Sequence, residues 1–320
     1  MFKSLFGPPS IVGVDVGTHS IKILEVAVSS KRLTEVRKAA EAETPPGYSA
    51  GQVPDVQALG QTLRQAFRSA KIRSRRVALA VPAQVGFVRK LMVPVMPEKE
   101  LRAAIDLQPD RYIPFARDGV VYDLHLLPGP APEGQMWAVI AAAPRKCVSD
   151  LMAACKAAGL KVVRVDLEPL ALYRAALATE QAAPDQGVCL VDLGSESARI
   201  SLFEGGIPII SRTIDMPRSS VEGVADPFAG VATEDLFYDI RRSLEFALTK
   251  TAQPPSRVLI AGGFGNDAYV ALSLTAYLRG FLAERLPAGF RVEAMQDPAQ
   301  RVPLAHMLAF GLALPPELYA

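Results

Sequence analysis

Cysteine and histidine are scarce in this chain, with three of each among 320 residues. Cys147, Cys155 and Cys189 follow no metal-ligand spacing, and an odd count suits no disulfide framework. His19, His125 and His306 lie far apart, each without a neighbouring cysteine or second histidine. No metal held by protein ligands alone is expected, and a reducing cytoplasm fits this cysteine usage. Long apolar runs are also missing. Met136–Pro144 is among the longest and reaches about half of the roughly 20 residues that a spanning helix needs. Charge of one sign is missing as well. The net charge is +2 with both signs interspersed, so no field for nucleic acid is expected. The short basic stretch Arg73–Arg76 reads as solvated surface. The opening Met1–Pro9 has one lysine and no apolar core, so it is not read as a signal peptide. A packed or disordered leader is expected there, with Phe2, Leu5 and Phe6 as possible contacts to a membrane or partner.

What is present is ample apolar content. Half of the residues are hydrophobic, enough for two domains or for one domain split by a deep cleft. One turn occurs twice. Ile11–Ser20 reads IVGVDVGTHS and Val188–Ser197 reads VCLVDLGSES. Each is an apolar run, then Asp-x-Gly, then small hydroxyl residues, then a second apolar run. Two strands joined in this way offer backbone N–H groups and hydroxyls to a phosphate, with a carboxylate alongside. The first copy supplies Asp15, Gly17, Thr18 and Ser20, with Lys22 just beyond. Strand alternation decides whether Lys22 faces the cleft. The second supplies Asp192, Gly194, Ser195 and Ser197. Asp15 and Asp192 are the candidates to hold Mg²⁺ through water. Glu196 is out of place in a phosphate cradle, because a carboxylate repels the ligand unless it turns away. A single copy is better explained by an ordinary glycine-containing turn without a ligand. Two copies in matching meanders point to two related domains facing one cleft.

Two further elements belong with the turns. Ile260–Gly265 runs from a strand into Gly262, Gly263 and Gly265, backbone bare enough to lie against a purine. Its alternative is a plain strand-to-helix turn. Asp166–Ala171 places Glu168 at a helix start. Glu168 could orient a water for attack on a γ-phosphate, or it could simply favour the helix dipole. Between them the chain reads as strands at 11–16, 21–28, 33–40 and 77–81, with a helix at 55–70 capped by Asp55. A block of different texture follows over 83–160 and reads as an inserted βαββα subdomain. It has strands at 85–95, 120–127 and 136–143, and helices at 98–107 and 144–159. A strand at 162–166, a helix at 168–179, the second meander and a closing helix at 304–314 complete the pattern.

These elements, in this order, resemble the actin/Hsp70/hexokinase superfamily, and within it the division protein FtsA, which has an extra subdomain where 83–160 lies. The chain is most similar to the PilM-like proteins of type IV pilus assembly. The stretches that carry the likeness are Leu5–Gly7 before Val12–Gly17, Ala78–Pro82, Tyr112–Phe115, Val165–Ala171, Ile240–Phe246 and Leu259–Gly263. The resemblance implies an α/β, two-domain actin-like (ribonuclease H-like) ATPase fold with an inserted small subdomain. It implies a first domain from 1–82, the insert 83–160, and a connecting strand and helix at 161–185. A second domain would span 186–295 with a reduced small lobe at about 216–250, and a closing helix 296–320 would return to the first domain. It implies ATP with Mg²⁺ between the domains. It also implies a peptide groove, at about 78–95 and 105–125, for the cytoplasmic tail of a single-pass PilN-like partner. Phe87, Leu91, Val93, Tyr112, Ile113 and Phe115 would suit an amphipathic peptide, or form the subdomain's own core. Such a protein would be cytoplasmic and peripheral at the inner membrane through its partners.

This chain departs from that pattern after Ile214. The usual Gly-Gly turn and the Ala-Glu-x-Leu-Lys helix are missing, and Asp215–Ser220 leads quickly to the helix from Glu234. Nucleotide binding is therefore expected to be weakened or lost, and at most slow ATP hydrolysis is expected. A competent ATPase or small-molecule kinase is the alternative from another class. An FtsA-like division protein is a further one, although the segment Leu312–Ala320 offers no basic amphipathic anchor.

Overall fold

A computed structural model describes residues 10–29, 32–115, 119–127, 129, 131–215, 233–249, 251, 254–263, 268–282, 290–296 and 302–316. The leader Met1–Pro9, Gly265 and residues 216–232 of the expected reduced lobe lie outside them. The chain opens with β1 (Ser10–Val16), β2 (Ser20–Ser29), β3 (Arg32–Glu43), α1 (Val56–Ser69) and β4 (Arg76–Val81). It continues through β5 (Phe87–Pro94), α2 (Glu98–Leu107), β6 (Val120–Leu127), β7 (Gln135–Pro144) and α3 (Arg145–Ala157). Then come β8 (Lys161–Leu167), α4 (Glu168–Ala178), β9 (Val188–Leu193), β10 (Ser197–Glu204) and β11 (Ile207–Asp215). The last elements are α5 (Thr233–Leu248), β12 (Arg257–Ala261), α6 (Ala268–Leu282), β13 (Arg291–Ala294) and α7 (Met307–Ala313).

Two five-stranded sheets follow one plan, β3-β2-β1-β4-β8 and β11-β10-β9-β12-β13. In each, three strands form an antiparallel meander, and two more add in parallel beside its first strand. A smaller antiparallel sheet, β5-β7-β6, makes the inserted layer. This is the actin-like α/β architecture that the resemblance implies, built on the repeated meander.

Side-chain alternation sets the layers, because successive strand residues point to opposite faces. Val12, Val14 and Val16 of β1 pack on Leu59, Leu63 and Phe67 of α1 and on Leu151, Ala154 and Cys155 of α3. The opposite face of that sheet, Leu24, Val26, Ala78 and Ala80, meets α4 and α7. The same helix pair receives Val188, Leu190, Phe203 and Leu259 of the second sheet. The far face of the second sheet, Cys189, Val191 and Leu193, packs on α5 and α6. The order is therefore helices, sheet, helices, sheet, helices. At the centre the Tyr173 and Phe203 rings stack 4.3 Å apart. The α4 and α7 backbones approach so closely that a Cβ at Gly311 would strike the Ala171 carbonyl. Only glycine fits there.

Local signals act where expected. Asp55 caps α1 by accepting from the Gln57 and Ala58 N–H groups, both at 2.9 Å. An N-cap carboxylate of this kind contributes about 1 kcal/mol. Strand β5 begins later than the apolar pattern from Val85 suggests. The Pro82 carbonyl accepts from the Val85 and Gly86 N–H groups and holds those residues in a turn. The insert is also smaller than 83–160. Helix α3 packs against α1 in the first domain's core, so the separate layer ends near Pro144. Periodicity shows that a helix has an apolar face, and it does not show which sheet that face covers.

Candidate functional site

Asp15 and Asp192 stand at the carboxyl ends of β1 and β9, on the faces that look toward α4 and α7. Ligands in open α/β sheets bind at such strand ends. The two turns after them share one geometry. The Gly17 N–H donates to the Ser20 carbonyl at 3.2 Å, and the Gly194 N–H donates to the Ser197 carbonyl at 3.0 Å. Both glycine N–H groups are thus used inside the turn. A Cβ at Gly17 would lie 2.9 Å from the Ser20 oxygen, and one at Gly194 would lie 3.0 Å from the Ser197 oxygen. These glycines are required by the turns themselves. The first turn is fixed further by Thr44, whose hydroxyl donates to the Gly17 carbonyl at 2.7 Å.

Strand register completes the symmetry. Asp15 pairs with Lys22 across β1 and β2, and Asp192 pairs with Arg199 across β9 and β10. Lys22 shares the face of Leu24 and Val26, which settles its direction. It lines the cleft, and its ammonium donates to the Ser20 hydroxyl at 3.0 Å. Arg199, which the motif reading passed over, donates to Asp192 Oδ2 from Nε at 3.1 Å and from Nη2 at 2.7 Å. Its Nη1 lies 3.2 Å from Glu168 Oε2. The signal was available in the sequence: each turn carries a cation seven residues after its aspartate.

Asp15, Glu168 and Asp192 are all buried. Burial raises the Asp15 pKa above the usual carboxylate range, with Lys22 and then Arg199 pulling it back and Asp192 adding to the rise. Burial pushes Glu168 up to about 7, opposed by Arg199 and by the Ala83 N–H, which donates to its Oε2 at 2.8 Å. Burial works against the charge of Arg199, but Glu168 and Asp192 outweigh it and hold the guanidinium charged. Across the cleft, Gln84 Nε2 donates to the Ser197 hydroxyl at 2.8 Å and ties the two domains together.

The cleft encloses about 350 Å³, within the range of small-molecule sites. Its walls bring together Asp15, Gly17, Thr18, Ser20, Lys22, Glu168, Asp192, Gly194, Ser195, Gly262 and Gly263. Glu196 lines it too, exposed at its rim. Gly262, at φ +93°, packs against the second turn, where a Cβ would come 2.6 Å from Asp192 Oδ1. Gly263 faces open space. The Tyr48 hydroxyl is buried in the wall without a protein partner, a donor that suits an anionic ligand or a water. The donor set suits a polyphosphate better than Mg²⁺. Mg²⁺ needs oxygen ligands and keeps several waters, whereas one oxygen each of Asp192 and Glu168 is already engaged by Arg199.

A second concavity of about 330 Å³ lies between the first domain and the inserted layer. Its lining includes Val81, Val121, Ala141, Val148, Val165 and Leu170, with Asp123 at the rim. It is bordered by β8 and β6, the edge strands of their sheets. Phe87, Leu91, Val93, Tyr112, Ile113 and Phe115 do not line it. They build the core of the insert, where the Phe87 and Phe115 rings meet edge to face at 6.3 Å. Among the described residues no helix is long and apolar enough to cross a membrane.

The chain can now be placed among known proteins. A solved PilM–PilN type IV pilus biogenesis complex contains a chain 26% identical to this one, with a TM-score of 0.75 over 95% of this chain and 97% of that one. The ethanolamine utilization protein EutJ of Carboxydothermus hydrogenoformans matches at 14% identity and TM-score 0.55, over 98% of this chain and 91% of its own. The cytoplasmic domain of EpsL, an inner-membrane component of the Vibrio cholerae type II secretion system, matches at 12% and 0.53, over 95% and 94%. At such identities the last two speak for the fold alone. The family model of the type IV pilus assembly protein PilM matches residues 13–215. With its repeated meanders, inserted layer and interdomain cleft, this chain belongs to the PilM family of actin-like type IV pilus assembly proteins.

Proposed function

We propose that the chain is a scaffold of the pilus assembly machine that holds the short cytoplasmic tail of a single-pass, PilN-like inner-membrane protein. It would thereby sit at the inner membrane through that partner. The observation that carries this reading is the apolar groove between the first domain and the insert, flanked by the edge strands β8 and β6. An extended peptide can add to such an edge through its main chain while its apolar side chains enter the groove. The similarity to a chain solved in complex with PilN supports the same partner class. The interdomain cleft would take ATP, its phosphates near Thr18, Ser20, Lys22 and Ser195 and its adenosine near Gly263. Glu168 is tied to Ala83 and Arg199, a holding arrangement rather than that of a base aimed at water. Turnover is therefore proposed to be slow or absent.

The test is fluorescence anisotropy with a labelled synthetic peptide of the partner's cytoplasmic tail. Ala141→Trp, which fills the groove, is expected to weaken binding by about tenfold or more. Unchanged binding would remove the groove from the proposal, and no binding by the unmodified protein would remove the partner.

A further inference from the structure

Three buried carboxylates from three elements converge at the base of the cleft: Asp15 from β1, Asp192 from β9 and Glu168 from α4. Such a cluster can hold a divalent cation through water, although among the described residues no group of three acidic, histidine or cysteine side chains is placed to hold a metal directly. Here it meets a guanidinium. Arg199 bonds Asp192 through two nitrogens and Glu168 through a third, and its charge also pulls down the Asp15 pKa. The pairing is not a requirement of the turn. In the first turn Lys22 holds the matching register position and gives its hydrogen bond to Ser20 instead of Asp15. A planar, permanently charged fork is what lets one side chain serve two carboxylates at once. Behind Arg199 the space bounded by Glu168, Asp192 and Ser201 is about 10 Å³, room for at most one water and not for a hydrated ion.

We propose that Arg199 stands in place of a divalent cation, so that the cleft binds no metal and takes its polyphosphate ligand without one. The ligand part rests on the nucleotide reading above, whereas the role of the arginine is tested without it. Arg199 sits on the second domain and Glu168 opens the central helix, so the same guanidinium also fastens one domain to the other.

The experiment follows free Mn²⁺ by electron paramagnetic resonance. The unmodified protein is expected to leave the free signal undiminished up to roughly 1 mM Mn²⁺, since two of its three carboxylates are already paired with Arg199. Arg199→Ala, shown folded by circular dichroism, is expected to take up Mn²⁺, and Asp192→Asn placed on top is expected to abolish that uptake. Mn²⁺ uptake by the unmodified protein that Asp192→Asn removes would overturn the proposal. So would a folded Arg199→Ala that takes up none. Arg199→Met, which keeps the volume of the stem, is the second variant if alanine proves too unstable, and the result for the unmodified protein stands whatever either variant does. In parallel, ATP is titrated calorimetrically in EDTA and in MgCl₂. Affinities within about threefold are expected, and tightening by Mg²⁺ beyond about tenfold would overturn the proposal. No heat in either buffer would remove ATP from the proposed function, and the Mn²⁺ result would still decide the role of Arg199.

Discussion

The turn after β1 and the turn after β9 share a backbone and differ in their chemistry. In both, a glycine N–H closes on a serine carbonyl three residues on, and an aspartate faces a cation across the strand pair. The first turn carries Lys22, half-buried, with its ammonium on a neighbouring hydroxyl. The second carries Arg199, whose guanidinium is committed to two buried carboxylates. An ammonium is a compact charge on a flexible stem and can follow a ligand. A guanidinium holding two partners is already placed. The two turns therefore share one shape, while one half of the cleft is an internal ion-pair network.

The comparison can be broken most sharply by deleting the two cations. Arg199→Ala leaves two carboxylates buried without their counter-ion and is expected to cost about 3–5 kcal/mol in urea unfolding. Lys22→Ala removes one hydrogen bond and the charge that most offsets the burial of Asp15, and should cost about 1–2 kcal/mol. Equal losses would mean that the two positions are equivalent after all. The next effect concerns pH. The Glu168 pKa is raised from 4.5 to about 7, so the folded state holds its proton more tightly than the unfolded chain does. The stability this contributes is complete below about pH 4.5 and is lost as pH rises through about 7. It amounts to about 3 kcal/mol at most. Glu168→Gln should flatten that part of the stability profile, and an unchanged slope would place the titration elsewhere.

Gly17→Ala and Gly194→Ala sharpen the likeness rather than the difference. Each forces a Cβ against its own turn, so similar losses of about 1–3 kcal/mol are expected in thermal unfolding. Tolerance at one site alone would show that the turns are not alike. The smallest effect is at the bridge between the domains. Gln84→Ala and Ser197→Ala should each cost about 1 kcal/mol or less, and the double variant should cost less than their sum. Strict additivity would mean that the 2.8 Å contact contributes nothing.

Much of this was legible in the sequence. The doubled Asp-x-Gly pattern gave two meanders in matching order, and the cleft gathers the residues named from it. Strand alternation left Lys22 undecided until Leu24 and Val26 fixed the inner face. Arg199 lies outside the hydroxyl pattern that marks the turn, although its spacing from Asp192 repeats that from Asp15 to Lys22. Its reach to Glu168 could not be read from spacing, since that contact joins elements distant in the chain. The same limit explains the groove. Phe87 and Phe115 have the composition of a peptide site, yet they pair with each other in the insert's core. The concavity proposed for the peptide is lined by residues such as Ala141, Val165 and Leu170, which carry no motif.

Helix α7 packs on the first sheet beside α4, where the Arg174 guanidinium donates to the Gly311 carbonyl and that of Arg164 donates to the Leu314 carbonyl. Residues 10–81 can pair into a sheet early in synthesis, and α4 can then cover part of one face, but the part that α7 covers stays bare until residues 302–316 have left the ribosome. Completion of the first domain thus depends on the most distant contacts in the described chain, and such closures are slow. During that interval the bare apolar face of the sheet is the surface a chaperone would have to shield.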